Sequence, residues 1–140
     1  MLNMKKIALS VVCILVLAGS IIGGKYLISV DKYKETIREF KIGSVDLSKI
    51  SDGKYTGSSD TEFVSAKVTV TVKDNKITDI ILLNHKNGRG KTAEVIKDEV
   101  LKAQSLQVDA ISGATNSSKV ILKSIENALK SEMWNERINN

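Results

Sequence analysis

Between Ser65 and Lys73 apolar and polar residues alternate without a break: Ala66, Val68, Val70 and Val72 against Ser65, Lys67, Thr69, Thr71 and Lys73. A period of two sends successive side chains to opposite faces, so this stretch predicts a strand with one buried and one wet side. Asp74-Asn75-Lys76 supplies turn chemistry, and Ile77 to His85 returns as the second arm of a hairpin. Within that arm Ile80-Ile81-Leu82-Leu83 is apolar on both faces. The expectation is a central strand, with a helix or a ligand over its second side. Tyr55 to Ser59 predicts another strand beside the hairpin.

The period then lengthens. Ala93, Ile96, Val100 and Ala103 fall at helical spacing, and Gln107 to Ala110 reads as a short extended segment. Ser117 or Asn116 is the expected cap of a last helix whose stripe is Ile121, Leu122, Ile125, Ala128 and Leu129. Three strands, a helix, a short strand and a helix make an α+β domain, a small antiparallel sheet with helices packed on it. Upstream, Tyr33, Ile37 and Phe40 stand at i, i+4 and i+7 and predict an amphipathic helical stalk. Lys41 to Ser51 mixes glycine, serine and charge and reads as a linker. Met133 and Trp134, at the end of the last helix, are expected to pack or fray.

Ahead of all this lies a different kind of segment. Ile7 to Gly24 is eighteen residues without a charge, or about 27 Å of helix, close to the ~30 Å hydrocarbon core of a bilayer. Lys5-Lys6 precedes it, which favours a cytoplasmic N-terminus and an extracytoplasmic C-terminal domain in a single-pass protein of the cell membrane. A cleaved signal peptide is the rival, with Ala18-x-Ser20 as its cleavage site. The anchor is preferred because Tyr26, Leu27, Ile28 and Val30 prolong the apolar run. Cys13 does not make a lipoprotein signal, since Val12 stands where a small residue is needed. The expected division is an anchor over residues 1–30, stalk and linker over 31–51, a domain over 52–132 and a tail over 133–140.

Charge changes little else. The first thirty residues hold three of the 21 basic residues and none of the 16 acidic ones, leaving 18 against 16 in the rest. With no basic groove interleaved with aromatics, nucleic acid is not an expected partner. One cysteine excludes an intrachain disulfide, and the single histidine has no grouped partners for a metal. Gly90-Lys91-Thr92 resembles the end of a phosphate-binding P-loop, but His85 stands where that motif needs its first glycine.

The segment richest in chemistry is Asp109-Ala110-Ile111-Ser112-Gly113-Ala114-Thr115-Asn116-Ser117-Ser118. Small and hydroxyl residues crowd around one glycine just before a helix. Such a backbone lets a large or phosphorylated ligand approach closely, and the helix start offers N–H groups and a positive dipole end. The residues alone leave two readings open: a phosphate-binding turn, or a loop with a Ser/Thr helix cap. No residue pair suggests a substrate-transforming site.

The spelling Asp-x-x-Ser-Gly-Ala-Thr resembles the flavinylation motif of the FMN-binding domain family. Asp109, Ser112, Gly113, Ala114 and Thr115 all match it, and Asp52-Gly53-Lys54-Tyr55-Thr56-Gly57 is similar to the family's opening Asp-Gly-x-Tyr-x-Gly. The resemblance implies FMN held covalently on Thr115 through a phosphoester, placed there by a separate FAD-dependent flavin transferase. It implies an electron carrier in the cell envelope, working with redox donor and acceptor proteins or quinone, and possible membership of a larger oxidoreductase. The family includes flavinylated subunits of sodium-pumping quinone reductases and Rnf-type complexes. Asp109 would order the turn or help the transferase recognise it. His85 and Arg89 are further cofactor-binding candidates. Arg89 lies between two glycines, where its guanidinium can approach the flavin edge or phosphate, the alternative being a solvated basic loop. The family often follows that histidine with an acidic residue and a threonine, where this chain has Lys86, Asn87 and Arg89 instead. The alternative function is a non-redox anchored module binding a small anionic ligand reversibly.

Overall fold

The computed structural model describes residues 3–86 and 90–138. The chain divides into two compact units, Met1–Glu35 and Thr36–Asn140. The first is most of helix α1 (Met4–Glu39), along which Leu9, Leu15, Leu17, Ile22 and Leu27 are all exposed. This helix is long and apolar enough to cross a membrane.

The second unit is an α+β domain. Strands β1 (Gly53–Asp60), β2 (Ser65–Lys73) and β3 (Lys76–Lys86) form an antiparallel sheet in the order β1-β2-β3. After β3, a 3-10 segment (Lys91–Val95) leads into α2 (Ile96–Ala103), and α3 (Thr115–Ile138) closes the domain. The alternation in β2 is realised as expected, with Ala66, Val68, Val70 and Val72 all buried. The expected stripe of α3, Ile121, Leu122, Ile125, Ala128 and Leu129, is buried against β1 and β2. Ala93, Ile96 and Val100 are buried too. Ala103 is exposed instead, because it is the last residue of α2 and the chain turns away at Gln104, whose φ of 50° ends the helix.

Two further expectations are corrected. The second hairpin arm is an edge strand and β2 is central. Its two-faced apolar run comes from bulges: the register slips between Lys67/Val68 and between Thr71/Val72. The slips turn Ile77 and Ile80 into the core while Ile81 and Leu83 remain exposed. Residues 107–110 run without regular secondary structure in place of the short strand. The segment read as a linker, and the end of the stalk before it, are docked on the domain. Ile37 and Ile50 are buried, Lys119 Nζ donates to the Ile37 carbonyl at 3.1 Å, and Gln107 Nε2 donates to the Ile42 carbonyl at 3.3 Å.

Local chemistry fixes the sheet ends. Asp74 and Asn75 both have positive φ, the type I′ pattern that suits a two-residue hairpin loop. The Asp74 N–H donates to Asp52 Oδ1 at 2.8 Å, which gives the first residue of the Asp-Gly-x-Tyr-x-Gly element a structural task. Gln104 clasps the start of β3: its Oε1 accepts from Ile77 N–H and its Nε2 donates to the Ile77 carbonyl, each at 2.8 Å. The last residue of the opening element, Gly57, lies directly beneath α3. A Cβ there would sit 2.2 Å from both Ala128 N and the Ser124 carbonyl oxygen. Only glycine allows that approach.

One charge is buried in this packing. Glu126, 1% exposed, receives hydrogen bonds from Lys123 Nζ and Lys130 Nζ on the same helix. Burial, the largest influence, pushes its carboxyl up, but the bonds from Lys130 and Lys123 together outweigh it and hold the group below its ordinary value.

Candidate functional site

The segment singled out by its small and hydroxyl residues folds into a tight turn that feeds α3. The Ala114 N–H donates to the Ile111 carbonyl at 2.9 Å, closing a four-residue turn. Gly113, its third residue, has φ of 77°, whereas Ser112 lies outside the left-handed region. That is the type II pattern, which needs positive φ at its third position. Nothing lies within 4 Å of where a Gly113 Cβ would be. The glycine is therefore required by backbone conformation, and the space beside it is open.

The turn also moves the helix start. The Ala114 carbonyl accepts the first helical bond, from Ser118 N–H at 2.9 Å, so Ala114 is the cap in place of the expected Ser117 or Asn116. The closed turn ends at Ala114 and leaves Asn116 and Ser117 inside the first helical turn, Ser117 buried. Alanine brings no side-chain oxygen. The N–H groups of Thr115, Asn116 and Ser117 thus have neither a helical carbonyl nor a cap side chain to bond. Together with the helix dipole they form an anion-ready end.

Thr115 is the first residue of α3 and is exposed. Beside the turn lies an open groove of about 600 Å³ lined by Glu99, Lys102 and Ala103 of α2 and by Gln107 to Ser112. Its volume falls in the roughly 300–1,000 Å³ range of small-ligand sites. Asp109 and Ser112 both line it and both are exposed.

His85 is placed elsewhere. Its imidazole is buried at the end of β3, with Nδ1 3.0 Å from Glu94 Oε1. The two share a second groove, of about 480 Å³, with Ile81, Leu83 and Lys97. A His–Glu pair nine residues apart has no periodic signature, so no pattern along the chain announces it. Arg89 lies outside the described residues, as do Asn87 and Gly88 and the side chains of Met133 and Trp134. The turn residues Asp109, Ser112, Gly113, Ala114 and Thr115 therefore form one constellation, and His85 belongs to another groove.

An exposed hydroxyl at an uncapped helix start, a bulk-free turn and an adjacent groove of this size fit a phosphorylated flavin. Residues 64–130 match the model of the FMN-binding domain family. The chain is also 36% identical over 84 residues, 58% of its length, to the NADH:acrylate oxidoreductase of Vibrio harveyi. It spans 8% of that protein's length. The family match covers β2, β3, α2, the turn and the packed part of α3, and it includes every residue named as lining either groove.

Proposed function

We propose that this chain is a membrane-anchored flavoprotein that carries FMN covalently on Thr115 and passes electrons in the cell envelope. The observation that carries this reading is the placement of Thr115, exposed at the uncapped start of α3 and directly after the Gly113 turn. An unassisted secondary hydroxyl is a weak nucleophile at neutral pH, so modification needs an external base and an activated donor. An FAD-dependent flavin transferase supplies both. Thr115 Oγ1 forms a bond to the FMN phosphorus of FAD, the pyrophosphate P–O bond breaks, AMP leaves, and the threonine proton passes to the transferase's base.

Once attached, the flavin supplies reversible electron uptake and release. The chain's own groups hold it. The first-turn N–H groups of α3 meet the phosphodiester charge, and Asp109 and Ser112 shape the adjoining wall. Lys102 places a positive charge along the same groove. Lys5-Lys6 before the apolar helix supports an extracytoplasmic domain. Tethering keeps the carrier at high effective concentration beside membrane donors such as quinone or redox proteins. Similarity to a segment of an NADH:acrylate oxidoreductase supports the same role, as a free carrier or as a subunit of a larger oxidoreductase. In either case the chain is a carrier rather than an enzyme, and it is a substrate of the transferase.

The test is co-expression with a flavin transferase followed by acid denaturation and peptide mass spectrometry. The native chain gives a yellow pellet and one FMN adduct on the peptide containing Thr115. Thr115→Ala gives neither, and Thr115→Ser retains the adduct at lower yield. A colourless native pellet, or an adduct persisting in Thr115→Ala, refutes the assignment and returns the turn to a reversible anion-binding role.

A further inference from the structure

Ser118 is a small hydroxyl residue with no solvent exposure, three residues past the proposed acceptor. Its Oγ donates to the Ala114 carbonyl at 2.9 Å, which is the ordinary behaviour of a serine inside a helix. The same oxygen also accepts a hydrogen bond from the Ile111 N–H at 3.0 Å, seven residues back and outside the helix. Ile111 and Ala114 are the first and last residues of the turn that contains Gly113, and their own bond closes it. One buried oxygen therefore bonds both ends of the turn and fixes it to the first turn of α3.

We propose that the Ser118 hydroxyl is the positioning group for flavin attachment, holding the turn so that Thr115 is presented to the transferase in a single conformation. The inference rests on the reading of Thr115 as acceptor. Attack on phosphorus needs the hydroxyl aligned with the breaking P–O bond, and small misplacements cost large factors in rate. A turn whose third residue is a glycine, which favours neither sign of φ, is held locally by its one closing bond. The Ser118 oxygen adds a second restraint from outside the turn. A pre-ordered acceptor also loses less conformational freedom on entering the transferase's active site. Ser118 touches neither the transferred group nor Thr115 Oγ1 in this scheme; it acts through the backbone of Ile111 and Ala114.

The experiment uses the full chain in detergent micelles, with purified flavin transferase and FAD. The chain is native or carries Ser118→Ala, Ser118→Cys or Ser118→Thr. Adduct formation is followed by intact mass across protein concentrations, and Ile111 amide exchange is measured on the chains before loading. Loss of the oxygen in Ser118→Ala should speed Ile111 exchange and slow loading, each on the order of tenfold, with the loading defect mainly in kcat. Ser118→Thr keeps the oxygen and should restore both, and the weakly bonding thiol of Ser118→Cys should fall between. The adduct stays on Thr115 in every variant. Native loading rates in Ser118→Ala, or a defect that follows melting temperature across the three variants and not Ile111 exchange, overturn the inference alone. Absence of any Thr115 adduct in the native chain overturns the functional reading and this inference with it.

Discussion

Replacing Gly57 by alanine tests whether α3, and with it Thr115, is held in place by contact with the β1 backbone. The new methyl would lie 2.2 Å from Ala128 N and from the Ser124 carbonyl oxygen, where ordinary contact begins at 3.4 Å. Both neighbours are helix backbone, so no side-chain rotation relieves the clash. The helix must withdraw by about 1 Å or the strand must bend by as much. Two bonds tie α3 to the sheet at this level: Asn127 Nδ2 to the Ser58 carbonyl at 2.8 Å, and Ser124 Oγ to the Ala66 carbonyl at 3.1 Å. A 1 Å withdrawal stretches both past useful length. Overpacking costs about 1–3 kcal/mol, and each lost bond adds about 1. A total of roughly 3–5 kcal/mol is a large part of the 5–15 that holds a typical domain together. For a domain of this size Tm should fall by on the order of 10–20 °C. Thermal and urea unfolding of the full chain in detergent measure the effect, with Thr56→Ala at the neighbouring exposed position as control. If Gly57→Ala melts within a degree or two of the native chain, the close approach of β1 and α3 is not what positions the helix.

Other outcomes follow from the same packing. Because the folded carboxyl of Glu126 titrates below its ordinary value of 4.5, its contribution to stability is complete above that pH and is lost as pH falls through the depressed value. The stability gap between the native chain and Glu126→Gln should therefore close on acidification below pH 4.5; a gap constant from neutral pH to strongly acid solution rules the ion pairs out. At Gly113 the constraint is a φ of 77° with open space around it. Gly113→Asn should thus load flavin better than Gly113→Val, since asparagine visits the left-handed region and a β-branched residue resists it; equal loading would refute the dihedral argument. A chain starting at residue 52 loses the buried Ile37 and Ile50. At about 2 kcal/mol for each side chain it should unfold at clearly lower urea concentration than one starting at residue 36.

The elements whose hydrophobic period is unbroken were legible in the sequence. The alternation of β2 and the stripe of α3 each have one face to bury, so they have one way to sit in a core. The apolar N-terminal helix is legible for the same reason, since its length and composition alone make it able to span a bilayer. The residues of the motif ending at Thr115 left two readings open, a phosphate-binding turn or a capped loop, because small residues around a glycine before a helix are a local arrangement; the flavin reading rests on the resemblance of the motif. What the chain could not reveal by itself was everything that depends on residues meeting across sequence distance. The edge position of β3 depends on pairing order, and its two bulges erase the period that would have shown which residues face inward. The docking of residues 37–50 depends on lysines of α3 reaching their carbonyls. The His85–Glu94 pair, the clasp of Gln104 on Ile77 and the bond from Ile111 to Ser118 are contacts between groups nine, 27 and seven residues apart, with no repeat to announce them. Glycine roles divide in the same way. Gly113 is a local matter of backbone dihedral, whereas Gly57 is glycine only because a helix from the far end of the domain lands on it.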